Sequence, residues 1–222
     1  WIGASIGLPE ARRAVIHHGI DAARFAQPQT AAPLPRPYVL SVSSIYRYKN
    51  FVRLIEAWTR VAGSRSEFPD LAIVGDDMDP DYSVKMRAAR DAAGANAGRI
   101  HIVGDVPYAD VPAWYRGAAL FVFPSYLETF GHPLLEAMAA GVPVLAAELA
   151  VSREVAGDAA RYFDPFDVEG LARALERGVD DGALRERQVA AGRERVAAFT
   201  WEASARRHLE LFDAVVAERQ AS

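Results

Sequence analysis

Between Phe121 and Val144 the chain reads as a strand, a loop, a helix and a second strand, in that order. Phe121-Val122-Phe123 is an apolar run stopped by Pro124-Ser125, the pattern of a buried strand. Pro133 falls at a first helical position and Gly141 closes the helix. The result is one βαβ unit. Ligands of open α/β sheets collect at the carboxyl ends of the strands, where helix N-termini offer N–H groups to anions.

The rest of the chain repeats the alternation. Strands are predicted at Tyr38–Val42, Leu71–Gly75, Ile100–Gly104, Leu120–Phe123 and Val142–Ala146, with a short one at Ala160–Phe163. Between them lie helical patterns: one with apolar Val52, Leu54, Ile55, Ala57, Trp58 and Val61, an Ala- and Arg-rich one ending near Gly94, and one from Tyr108 to Gly117. Helical segments at 167–178, 182–198 and 201–217 finish the chain. In the last, Thr200 can cap, and Trp201, Ala205, Leu209, Phe212 and Val216 share one face. Near the start, Ala14–His17 reads as a further strand and His18-Gly19-Ile20-Asp21 as a turn. The Pro-, Ala- and Gln-rich stretch Ala26–Pro37 reads as a linker, so the core is expected to begin after it. Strands alternating with helices give an α/β class: a Rossmann-like, doubly wound parallel sheet.

Composition narrows the chemistry. With 222 residues, 51% of them apolar, the chain can bury one good-sized core. A net charge of −4 gives no argument for a nucleic-acid partner. The absence of cysteine excludes a disulfide framework, a thiolate metal site and a Cys nucleophile. No apolar run is long enough to span a bilayer and none reads as a signal peptide, so a soluble or peripheral protein is expected. The sequence opens on Trp1 rather than Met, as a piece of a longer chain would.

Two carboxylates stand out in the opening stretch. Seven residues separate Glu128 from Glu136. On one continuous helix they would lie about 80° apart, but Gly131-His132-Pro133 interrupts, so both can face one cleft from loop and helix start. The helix macrodipole alone also favours an acidic residue in a first turn. Ser125 has no His within reach by spacing, and no Ser-His-Asp order can be built. His17-His18 lacks partners at ligand spacing and is expected to be exposed. Gly75 and Gly104 close strands and do not form a phosphate-cradling glycine set.

The whole stretch says more than the pair. Glu128-Thr129-Phe130-Gly131-His132-Pro133-Leu134-Leu135-Glu136-Ala137-Met138-Ala139-Ala140-Gly141-Val142-Pro143-Val144 closely resembles the signature of the retaining glycosyltransferases of family four, also called group one. These enzymes have the two-domain GT-B fold. The similarity extends through His18-Gly19-Ile20-Asp21, Lys49-Asn50, Ile73-Val74-Gly75, Ile102-Val103-Gly104, Pro124-Ser125, Arg153-Glu154-Val155 and Thr200-Trp201.

The resemblance implies a donor site for a nucleotide sugar. Glu128 would accept hydrogen bonds from hydroxyls of the donor hexose, helped by the amides of Phe130 and Gly131, and Glu136 would hold the ribose hydroxyls, since a carboxylate is a pure acceptor. N–H groups around His132, Leu134 and Leu135 would face the diphosphate, while Pro133 contributes geometry only. Lys49 matches the family lysine that neutralises the leaving diphosphate; with Glu128 it forms the expected catalytic pair. The family usually carries an Arg five or six residues earlier, where this chain has Ser43 and Ser44. Arg47 is a candidate to supply that second charge, a surface Arg the alternative. Gly104-Asp105-Val106 resembles the loop whose backbone, at Val106, meets the nucleobase. Glu154 reads as a helix-start carboxylate, and His132 as a donor to substrate or a variable position.

Asp77-Met78-Asp79 and Asp79-Pro80-Asp81 imitate the metal motif of the other major glycosyltransferase fold, but they follow a strand in a different architecture and read as a solvated turn. The family generally needs no metal in the site, so neither metal nor cofactor is expected. Front-face transfer with retention, without a protein nucleophile, is the implied mechanism. Residues 1–37 would then be junction and linker from a missing N-terminal domain, 38–200 the donor-binding domain, and 201–222 a helix crossing back to the missing domain with its apolar face partly exposed. Such a fragment would have little activity alone. Its expected partners are the nucleotide-sugar donor, the missing domain and a glycan or lipid-linked acceptor, in the cytoplasm or at the inner face of the membrane. The Tyr46-Arg47-Tyr48-Lys49-Asn50 loop and the Gly-His-Pro-Leu-Leu-Glu variant are similar to mannosyltransferases of bacterial polysaccharide assembly, and so lean toward GDP-mannose. A nucleotide-sugar epimerase or phosphorylase of the same architecture, and a noncatalytic nucleotide-binding module, are the alternatives.

Overall fold

The computed structural model describes residues 7, 9–27, 33–35 and 37–220. They form two compact units, Ala22–Val196 and the segments Trp1–Asp21 with Ala197–Ser222. Among the described residues, no helix is long and apolar enough to cross a membrane.

The larger unit is built on a six-stranded parallel sheet: β1 (Tyr38–Val42), β2 (Asp70–Val74), β3 (Ile100–Gly104), β4 (Ala118–Phe123), β5 (Val144–Ala147) and β6 (Ala160–Phe163), in the order β3-β2-β1-β4-β5-β6. Its strands are almost continuously apolar because helices cover both faces. Those helices are α1 (Ala22–Ala26), α2 (Phe51–Ser64), α3 (Pro80–Asp91), α4 (Val111–Gly117), α5 (His132–Ala139), α6 (Ala150–Ala156), α7 (Val168–Asp180) and α8 (Gly182–Val196).

Side chains alternate along each strand, so the sheet has two cores. Val39, Leu71, Ile73, Leu120, Val122, Leu145 and Phe163 point to the face covered by α2, α3 and α7. On α2, Leu54, Ile55, Trp58 and Val61 recur at helical spacing and are buried, and the Trp58 indole donates to the Pro69 carbonyl at 2.9 Å. Tyr38, Leu40, Phe121 and Phe123 belong to the other face, with α4 and α5. Strand order reverses between β1 and β4, and the helices that follow these two strands lie on opposite faces.

Several sequence expectations need correction. Ala14–His17 carries no strand. Ala26 is the last residue of α1, not the first of a linker, and Phe25 is fully buried, so the core reaches back beyond 37. Of the linker, residues 28–32 and 36 lie outside the described part. The helix expected from Tyr108 begins at Val111, because Pro107–Asp110 forms a turn closed by the Asp110 amide on the Pro107 carbonyl at 2.8 Å. Asp77 and Asp79 are more than a solvated turn. Asp79 caps α3 by accepting from the Tyr82 amide at 3.1 Å, and Asp77 accepts from the Ser83 hydroxyl at 2.5 Å. Glu154 lies in the second turn of α6, not at its start.

In the smaller unit, the Ile20 amide donates to the Phe199 carbonyl at 3.0 Å, His17 meets Phe199 edge-on, and His18 stacks on Trp201. Both histidines are exposed, as expected. A Cβ on Gly19 would stand 2.2 Å from the Trp201 nitrogen, so this turn requires glycine. Helix α9 (Trp201–Gln220) starts as predicted, with the Thr200 hydroxyl accepting from the Ala203 amide at 3.0 Å. Its Trp201, Leu209, Phe212 and Val216 side chains are exposed.

Candidate functional site at the β1/β4 switch point

In a doubly wound sheet, the loops after two neighbouring strands whose helices depart to opposite faces leave a crevice between them. Here those loops are Ser43–Asn50 after β1 and Pro124–Gly131 after β4. The first ends in a tight turn, Arg47–Lys49. Asn50 follows with φ 63°, a left-handed conformation that asparagine tolerates better than most residues. Its buried amide donates to the Pro124 carbonyl at 3.1 Å and the Pro165 carbonyl at 2.7 Å, while its oxygen accepts from Arg53 at 2.9 Å. The Tyr126 amide donates to the Tyr48 carbonyl at 3.0 Å. Gly75 lets the end of β2 close against the same loop, since a Cβ there would lie 1.9 Å from the Ser43 carbonyl oxygen.

This bracing sets Lys49 against Glu128. The ammonium is 2.7 Å from Oε2, and each side chain is only 12% exposed. The other carboxylate oxygen accepts from the Thr129 amide at 2.9 Å. Sequence reading gave these two residues related tasks; the structure brings them into one ion pair.

Glu136 has a different setting. Gly131, with φ 96°, turns the chain into α5, and Glu136 lies in the second turn with 8% exposure, rather than at the helix start. Tyr115 of α4 donates to its Oε2 at 2.8 Å, and Tyr108 approaches Oε1 at 3.4 Å. Burial pushes the Glu136 carboxyl up, against the two tyrosine hydroxyls and the Arg24 charge, which hold it down. Burial and the neighbouring carboxylate keep the Tyr115 phenol protonated. Tyr115 is locked among Phe25 and Phe121 rings at 5.8 and 5.3 Å. Tyr108 is exposed, with the Arg24 guanidinium 4.3 Å from its ring centroid.

The other predicted residues divide. Phe130 and His132 meet edge-to-face at 4.9 Å beside Gly131. Leu134 and Leu135 are buried on α5, and the Leu134 amide is already committed to the Gly131 carbonyl at 3.0 Å. Arg47 is exposed at the first position of the turn that ends in Lys49. Val106 is half-buried in the loop after β3. The Ser125 hydroxyl is buried without a hydrogen-bond partner, so it has no base to activate it. Among the described residues, no group of three or more His, Asp or Glu could hold a metal ion. A groove of about 560 Å³ bordered by Ala118, Pro143, Arg185 and Arg193 lies at the amino-terminal ends of β4 and β5, away from these residues.

Sequence reasoning missed Arg24, Tyr108 and Tyr115. A signal for Tyr115 was present: Val111, Trp114 and Tyr115 mark one buried helical face, and a buried phenol needs a partner for its hydroxyl.

Residues 23–195 match the family described as glycosyl transferases group 1. The O-antigen chain mannosyltransferase B of Escherichia coli is 39% identical over 109 residues, which cover 49% of this chain and 29% of that protein. A phosphatidyl-myo-inositol mannosyltransferase of Mycolicibacterium smegmatis is 31% identical over 211 residues, 90% of this chain and 51% of the relative. The chain thus spans between about a quarter and a half of the length of these curated relatives. Among solved structures, Anabaena Alr3699/HepE in complex with UDP-glucose superposes with a TM-score of 0.82 at 18% identity, over 95% of this chain and 60% of that one.

Proposed function

Because the chain belongs to the glycosyl transferases group 1 family, we propose that its larger unit holds the nucleotide-sugar donor of a retaining hexosyltransferase, with mannose as the sugar and GDP as the nucleotide. The observation that carries this reading is the Lys49–Glu128 pair, held at the switch point where α/β sheets take their ligands. A cation and an acceptor side by side suit a ligand that is anionic at one end and hydroxylated at the other. Names of the relatives favour mannose; the UDP-glucose complex of the Anabaena protein supports a nucleotide sugar as the ligand class.

In this reading the diphosphate draws the Lys49 ammonium, and Glu128 exchanges that partner for donor-sugar hydroxyls. Arg47 adds a second charge from the start of the same turn. The backbone at Phe130, Gly131, His132 and Leu135 supplies amides toward sugar and phosphate, and Val106 lines the base. Glu136 accepts from the ribose diol. In the full protein the bond from the sugar C1 to the diphosphate oxygen breaks, the acceptor oxygen bonds to C1 on the same face, and the acceptor proton passes to the departing phosphate. Lys49 stabilises the charge that builds on that phosphate.

Calorimetry of this chain against GDP-mannose, UDP-glucose, ADP-glucose and the free nucleotides tests the reading. GDP-mannose is expected to bind most tightly, and Lys49→Ala to weaken binding about tenfold. Absence of binding by every member of the panel would overturn the donor-site assignment.

A further inference from the structure

The two tyrosines on Glu136 are not equivalent. Tyr115 is fully buried, fixed between aromatic rings, and donates at 2.8 Å to Oε2. Tyr108 is 55% exposed and reaches Oε1 at 3.4 Å, near the limit of a hydrogen bond. Its ring is nevertheless placed, with Arg24 over one face and Phe25 edge-on at 6.3 Å. Phe25 is tied to α4 through its carbonyl, which accepts from Arg116 at 2.7 Å.

We propose that Tyr108 is a nucleoside-recognition residue that exchanges with the ligand, its hydroxyl holding on Glu136 Oε1 the position that a ribose hydroxyl takes when the nucleotide binds, while Tyr115 is a positioning residue that keeps Oε2 in place throughout. This deepens the donor-site reading and rests on Glu136 as the ribose acceptor.

The exchange is easy for physical reasons. One neutral hydroxyl donor replaces another on the same carboxylate oxygen, so Glu136 keeps its hydrogen-bond count. The displaced Tyr108 hydroxyl belongs to an exposed side chain, and water satisfies it at once. The same swap at Tyr115 would strand a phenol in the core, so the diol has access to one oxygen and not to the other. Charged and titratable groups facing Glu136 come from three elements: Arg24 of α1, Tyr108 of the loop before α4, and Tyr115 of α4. Removing the Tyr115 donor leaves the carboxylate less stabilised against its burial, so the loss of nucleotide binding on acidification moves to higher pH.

The experiment is calorimetry with GDP and 2′-deoxy-GDP on this chain and three variants, with UDP and its deoxy form as a second pair. Tyr108→Phe keeps the ring and its stack on Arg24 but removes the competing hydroxyl. It is expected to bind the ribonucleotide about two- to fivefold more tightly than wild type, with a smaller gain for the deoxynucleotide. Tyr115→Phe is expected to bind about tenfold more weakly, with the acid limb of its pH profile moved upward. Glu136→Ala tests the underlying reading, since it should erase the preference for ribose. If that preference disappears in Glu136→Ala while Tyr108→Phe binds no more tightly than wild type, the exchange is overturned and the ribose assignment stands. If Glu136→Ala leaves the preference intact, both fall together.

Discussion

Lys49 and Glu128, 79 residues apart in the chain, meet at 2.7 Å because the strands that launch their loops are neighbours in the sheet. The pair differs from the surface ion pairs of this protein in solvent access. Arg60 and Glu169 come within 2.5 Å, yet their side chains are 56% and 59% exposed, whereas Lys49 and Glu128 are each 12% exposed. Screening by water leaves little of the first interaction and much more of the second.

Lys49→Ala and Glu128→Ala are each expected to lower the unfolding free energy by about 1–3 kcal/mol, because each leaves one part-buried charge without its partner. The double variant should lose less than the sum of the two, with a coupling of at least about 0.5 kcal/mol. Arg60→Ala should change stability by less than about 1 kcal/mol. Urea titrations measure all four, and additivity within error at Lys49 and Glu128 would refute the pairing.

Asn50 braces the loop from behind, with two carbonyl acceptors and a left-handed backbone. Asn50→Ala should cost roughly 2–4 kcal/mol, since it strands the Pro124 and Pro165 carbonyls and strains the backbone. Asn50→Gly relieves only the backbone part and should recover about 1 kcal/mol of that loss. Both should also weaken nucleotide-sugar binding, because Lys49 is the preceding residue. Equal destabilisation by Ala and Gly would show that the backbone term is absent.

Burial makes the charged form of Glu136 costly to the fold. Its carboxyl is raised above the ordinary 4.5, chiefly by burial. The fold therefore favours the protonated form, and stability fully present below that ordinary value is lost as pH rises through the raised one. Glu136→Gln, which carries no charge to bury, should melt at a higher temperature than wild type near neutral pH, with the gap closing below pH 4.5. The same variant should bind ribonucleotides roughly tenfold more weakly. Thermal melts across pH check the first expectation and calorimetry the second. A gap that widens on acidification would contradict the sign.

The alternation of strands and helices was legible because each element carries its own period: the buried strands at Tyr38–Val42 and Leu120–Phe123, the Thr200 cap, the turn at Gly19. Boundaries were less so. The helix expected from Tyr108 starts at Val111 because a turn hydrogen bond competes with the first helical turn, and no periodicity records that competition. The short α1 was hidden beside a Pro- and Ala-rich stretch, since a single turn of helix earns its place by burying Phe25 rather than by local propensity.

What the sequence by itself determined is the family; it also marked Lys49, Glu128, Glu136 and the glycine that turns the chain into α5 as candidates for a donor site. These are local patterns with local causes. What only the tertiary structure decided is whom each residue faces. Lys49 meets Glu128 because β1 lies beside β4, Asn50 braces that meeting through carbonyls 74 and 115 residues away, and Glu136 turns inward between two tyrosines. Such partners are set by strand order and by the packing of helices on one face of the sheet, and neither is written in the spacing of neighbouring residues.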